Sequence, residues 1–114
     1  MEQSAKLQKL LLGINVLTSL NAANREKLNM RRADIIRQTR LILRLLEQAA
    51  CPHQAMQAAQ AKRISLLFAE QMVVEAEMRE LEKEKLKLSH FREMLLTKQS
   101  ASDAEREEEQ LMEL

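Results

Sequence analysis

Leu45-Leu46-Glu47-Gln48-Ala49-Ala50-Cys51-Pro52-His53-Gln54 is the stretch whose reading decides the fold. Pro52 is the only proline in the chain and its strongest punctuation mark. A proline ring removes an amide donor and clashes with the turn before it, so a helix ends or kinks there. Proline also suits the first position of a following helix. The stretch therefore predicts a short turn near Cys51-Pro52 between two helices, the first over about 4–50 and the second over about 53–99. Ser100-Ala101-Ser102-Asp103 then weakens the pattern, and Glu105-Arg106-Glu107-Glu108-Glu109 reads as an acidic tail, frayed or disordered over 100–114.

Composition leads to the same fold class. There is one glycine, Gly13, no Trp and no Tyr, and the only aromatics are Phe68 and Phe91. A sheet needs regularly spaced Gly, Asn-Gly or Pro turns between β-branched or aromatic runs, and neither is present. Ala, Leu, Glu, Lys, Arg, Gln and Met dominate instead, the residues that lose least on entering a helix. The chain is expected to be all-α, a long antiparallel two-helix coiled-coil hairpin. Each helix of about 50 residues would reach roughly 75 Å at 1.5 Å rise per residue.

A seven-residue ladder runs through each half. In the first it is Leu7, Ile14, Asn21, Leu28, Ile35, Ile42 and Ala49, and in the second Leu67, Val74, Leu81, Leu88 and Leu95. A 3.5-residue repeat of this kind makes a helix–helix seam. Antiparallel partners share a constant sum of residue numbers. A sum of 102 folds the chain at residue 51 and brings the two ladders together, and a sum of 109 fits nearly as well. The companion ladders are expected three residues further on in helix one (Leu10, Leu17, Asn24, Arg31, Gln38, Leu45). In helix two they are expected at Ile64, Gln71, Met78, Lys85 and Arg92. Polar seam positions such as Asn21 and Asn24 lower stability but can fix register and partner choice.

Charge favours the same pairing. Residues 1–50 hold nine Lys/Arg against four Asp/Glu, net +5, and residues 51–114 hold nine against thirteen, net −4, giving +1 overall. A basic helix lies favourably along an acidic one, and a short turn permits only antiparallel neighbours.

Nothing in the sequence assembles a catalytic centre, and no enzyme, cofactor or metal is expected. His53 and His90 are far apart, and Cys51 beside His53 lacks the further ligands that zinc requires. One glycine cannot make a phosphate-cradling loop. The lone Cys51 forms no intramolecular disulfide and favours a reducing compartment. Lys6 and Lys9 before Leu10-Leu11-Leu12-Gly13-Ile14-Asn15-Val16-Leu17 imitate a secretory signal, but Glu2, Asn15 and Asn21 break its pattern. No run approaches the ~20 apolar residues of a membrane span. A cytoplasmic location is the expectation.

Two features point to partners. Arg37, Arg40 and Arg44 share one helix face by three- and four-residue spacing, a basic face of the kind that meets phosphates. The aromatics that base stacking wants lie elsewhere, and Asp34, Glu47, Glu70, Glu75 and Glu77 offer counter-charges. Nucleic acid is thus a weak expectation, and a solvated or ion-paired face the better one.

The second feature is surplus apolar surface. A two-stranded seam buries only about two residues in seven per helix. Left over near the turn are Leu41, Leu43, Leu46, Leu66 and Phe68, and near the open end Leu11, Leu12, Val16, Met94 and Leu96. Leu20, Ile36, Met72 and Val73 also fall outside the seams. Exposed apolar patches mark association sites, so the chain is expected to bind proteins, either other partners or a second copy in a four-helix bundle.

Ala61-Lys62-Arg63-Ile64-Ser65-Leu66-Leu67, the run Glu77-Met78-Arg79-Glu80-Leu81-Glu82-Lys83-Glu84-Lys85-Leu86, and the terminal Ser102-Asp103-Ala104-Glu105-Arg106-Glu107-Glu108-Glu109 carry a family likeness. In architecture and composition the chain resembles the small central-stalk proteins of type III secretion and flagellar export. The resemblance implies a hairpin inserted into the export ATPase ring, linking it to the membrane export gate and handling secretion chaperones. The competing expectation is a self-associating helical chaperone or structural adaptor. A basic nucleic-acid-binding hairpin ranks behind both.

Overall fold

The computed structural model describes residues 2–48 and 54–113. Two helices, α1 (Glu2–Gln48) and α2 (Gln54–Glu113), account for all of them. No strand, cis peptide or positive-φ residue occurs among the described residues. The protein is an all-α helical hairpin. The expected turn at Cys51-Pro52 lies outside the described residues, as does the Cys51/His53 pair.

One boundary differs from the sequence reading. α2 does not stop at 99 but continues to Glu113, so the acidic segment is helical over 100–113. Its Ala, Glu, Arg, Gln, Leu and Met side chains are good helix formers. Two serines and an aspartate, each costing only tenths of a kcal/mol, do not break a helix already propagating from a packed segment. Ser102 is half-buried, so part of this segment is covered rather than free.

The chain forms two compact units. One is Asn24–Leu81, which holds the buried apolar core: Ile35 and Ile42 from α1 against Leu67 and Val74 from α2. Leu28, Leu46, Ile64 and Met78 are partly buried against it. All four buried residues belong to the two seven-residue ladders. Ile35 and Leu67 sum to 102, whereas Ile35 with Val74 and Ile42 with Leu67 sum to 109. A single cluster holding both sums is what knobs-into-holes packing produces, since each ladder residue inserts between two residues of the opposite ladder. The buried cluster therefore holds ladder pairs of both expected sums. Arg31 of α1 donates to Glu70 of α2 at the rim of this seam, and Arg31 also reaches Asp34 at 3.3 Å.

The other unit comprises Met1–Ala23 and Glu82–Leu114. Its ladder residues Leu7, Ile14, Leu88 and Leu95 are half-buried, and Asn21 is only 1 % exposed. A groove lined by Gln3, Lys6, Leu7 and Leu10 of α1 and by Lys98, Ala101, Ser102 and Glu105 of α2 shows that the start of α1 lies beside the end of α2. No buried side-chain nitrogen or oxygen among the described residues lacks a hydrogen-bond partner, so the Asn21 amide is satisfied.

Candidate protein-interaction surfaces

Which side chains face outward depends on the phase of the seam. Taking the clean ladders as heptad position d, the second buried row of α1 falls four residues on, not three. Leu11, Arg25, Arg32, Thr39 and Leu46 are half-buried, and only Thr18 of that row is exposed. Of the expected row Gln38 alone is half-buried, and Leu10, Leu17 and Leu45 are about half exposed, at 54 %, 48 % and 53 %. These leucines are therefore not the companion row that the sequence suggests. In α2 the expected companions Ile64, Gln71 and Met78 are half-buried, but Lys85 and Arg92 are exposed.

The polar occupants of the α1 row are tolerated for physical reasons. The Thr39 hydroxyl donates to the Ile35 carbonyl at 2.9 Å, which satisfies it inside its own helix. Arg25 and Arg32 can bury their aliphatic stems while the guanidinium reaches the rim.

With this phase the ten sequence-selected apolar candidates separate. Leu46 packs against the core, and Leu11 is half-buried in the seam row, so neither belongs to a free surface. Leu43 and Phe68 both occupy position e, which borders the same side of an antiparallel seam. They are 45 % and 63 % exposed, with half-buried Ile36 on the same flank. Leu41 and Leu66 lie on the outer faces of different helices, so the turn-end residues do not form one patch. At the other end Met94 lies on the outer face of α2, Leu96 borders the seam, and Leu12 and Val16 lie on the outer face of α1.

Two outer stripes do hold together. In the Met1–Ala23/Glu82–Leu114 unit, Leu12, Val16 and Leu20, each more than half exposed, line a shallow groove with Asn15, Ser19 and Ala23. This is a second apolar row on α1, facing away from the seam. Gly13 lies beside it, and a Cβ placed there would meet nothing within 4 Å. On α2 in the Asn24–Leu81 unit, Leu66, Ala69, Val73 and Ala76 repeat at three- and four-residue spacing with Met72 alongside, all exposed. Leu20, Met72 and Val73 were legible as surplus apolar residues, but their grouping into rows needed the phase.

The basic face is also outward. Arg37, Arg40 and Arg44 line a shallow surface with Asp34, Gln38 and Leu41. Arg37 lies 3.9 Å from Asp34, whose carboxylate also takes Arg31 and the Gln38 amide. Of the acids on helix two, Glu70 is claimed by Arg31, and Glu75 accepts from Gln71 at 3.3 Å. Arg40 and Arg44 make no ion pair among the described residues.

No group of three His, Cys, Asp or Glu among the described residues is placed to hold a metal. No described helix is long and apolar enough to cross a membrane. No protein-family model matches the chain, and neither a curated protein nor a solved structure does.

Proposed function

We propose that this protein is a non-enzymatic helical hairpin that binds helices of other proteins through its outward apolar rows. The observation that carries this reading is the row Leu12, Val16, Leu20 on α1, which lies opposite the seam and is left in water by the hairpin itself. An amphipathic partner helix docks on such a row with anchors at three- and four-residue spacing. The small residues Ser19 and Ala23, with Gly13 beside them, allow its backbone to approach closely.

On the resemblance of the chain to type III export stalks, the partner we propose is the export ATPase, with the export gate and secretion chaperones as further contacts. The test is titration calorimetry of the full chain against the purified export ATPase of the same organism. Wild type should bind, and Val16→Glu with Leu20→Glu should abolish binding while circular dichroism stays unchanged. Binding that survives the double substitution rules out the α1 row. A wild type that does not bind the ATPase rules out the stalk role.

Self-association is the second reading, and the pattern of side-chain sizes on α2 favours it independently.

A further inference from the structure

The outer row of α2 alternates large and small: Leu66, Ala69, Val73, Ala76. Such a row is complementary to itself when reversed. If a second copy of α2 lies antiparallel, with a two-fold axis level with residue 71, Leu66 faces Ala76 of the other copy and Val73 faces Ala69. Every layer then pairs a large side chain with a small one, the condition for close interdigitation without voids. Leu66, Met72 and Val73 are 63 %, 58 % and 57 % exposed in the single chain, so this row has no cover of its own.

Charge agrees with the same alignment. Positions flanking an antiparallel seam pair with their equivalents on the partner helix, which brings Arg63 beside Glu77 of the other copy, twice by symmetry. Neither residue forms an ion pair among the described residues. On the opposite flank Met72 meets Met72 across the axis, and its flexible thioether can fill whatever gap remains. One like-charge encounter arises, Glu70 against Glu70, but each of these carboxylates is already engaged by Arg31 of its own chain.

We propose that a second copy of this chain covers the Leu66–Ala76 row, forming an isologous antiparallel dimer through α2. A two-fold contact is closed and uses the same patch on both copies. It uses none of Leu12, Val16 and Leu20, so the dimer and the binding of a different protein can be tested with separate substitutions.

The test is sedimentation equilibrium of the full chain under reducing conditions. Wild type should dimerise. Ala69→Glu with Val73→Glu places carboxylates in a desolvated layer and should weaken the dimer at least ~100-fold, with helicity retained because glutamate is a good helix former. Arg63→Glu should weaken it too, and adding Glu77→Arg should restore it. In a Cys51→Ser background, Met72→Cys should form an intermolecular disulfide on oxidation, whereas Leu12→Cys should not. A wild type that stays monomeric up to ~1 mM, where specific association is detectable, would overturn the proposal. So would a dimer indifferent to Ala69→Glu/Val73→Glu, or a double charge reversal that fails to rescue. Val16→Glu/Leu20→Glu should leave the dimer intact, so failure of this inference and failure of the ATPase reading give different results.

Discussion

Truncating Ile35 tests the seam most directly. Its side chain is fully buried, with Ile42, Leu67 and Val74 in the same cluster. Ile35→Ala removes three carbons from this site, worth about 2.4 kcal/mol at ~0.8 kcal/mol each. A cavity term adds to this, but a two-helix seam is open along both flanks and can collapse, so about 3 kcal/mol in total is expected. With unfolding entropy near 2.1 cal/mol/K per residue, 114 residues give about 0.24 kcal/mol/K, and the midpoint should fall by about 12 °C. Leu41 is the control. It is 60 % exposed, so Leu41→Ala should cost at most ~1 kcal/mol. Urea titration followed at 222 nm by circular dichroism gives both values, and the denaturant slope should not change. If Leu41→Ala costs as much as Ile35→Ala, or Ile35→Ala costs less than Leu41→Ala, the assignment of the two faces is wrong.

Gly13→Ala should stabilise the protein by about 0.5–1 kcal/mol, because α1 gains helix propensity and the new methyl meets open space. A lower urea midpoint would mean that the space beside Gly13 is occupied in solution. Asn21→Leu should raise the thermal midpoint, worth about 1–2 kcal/mol, as an apolar group replaces a buried amide in the seam row. A fall would show that the interactions of the amide outweigh the apolar gain.

Pro52, the missing turn residues and the helix-forming composition were enough to read two helices from the sequence. The seven-residue ladders identified the buried positions Asn21, Ile35, Ile42, Leu67 and Val74. The phase of the second row in α1 was not legible. Leu10, Leu17 and Leu45 look like seam residues by polarity, whereas the row actually half-buried carries Arg25, Arg32 and Thr39. Polarity misleads there because arginine stems are apolar and a threonine hydroxyl can bond within its own helix. Once the phase shifted, Leu46 and Leu11 moved inward and the surplus leucines and methionines sorted into separate faces. Register was also unreadable, because two sums seven apart fit the same ladders and the buried cluster holds pairs of both. The helix beyond residue 99 was missed since Ser100, Ser102 and Asp103 weaken propensity without breaking it.

Antiparallel pairing also sets the order in which contacts can form. Arg31 and Glu70 are 39 positions apart in the chain, whereas Leu7 and Ser102, which line one groove, are 95 apart. Closing the longer loop directly from the unfolded chain costs about 0.8 kcal/mol more, and the Met1–Ala23/Glu82–Leu114 unit holds no buried apolar residue among the described residues to offset it. The Asn24–Leu81 unit is therefore expected to carry the folding nucleus, beginning from Ile42 and Ile64. The segments Met1–Ala23 and Glu82–Leu114 are expected to zip together afterwards and to open first. Substitutions at Leu7 or Leu95 should then act mainly on the unfolding rate, and those at Ile42 on the folding rate, which stopped-flow refolding and unfolding in urea would check. Backbone amides of Met1–Ala23 and Glu82–Leu114 are then expected to exchange with solvent before those around Ile35 and Val74.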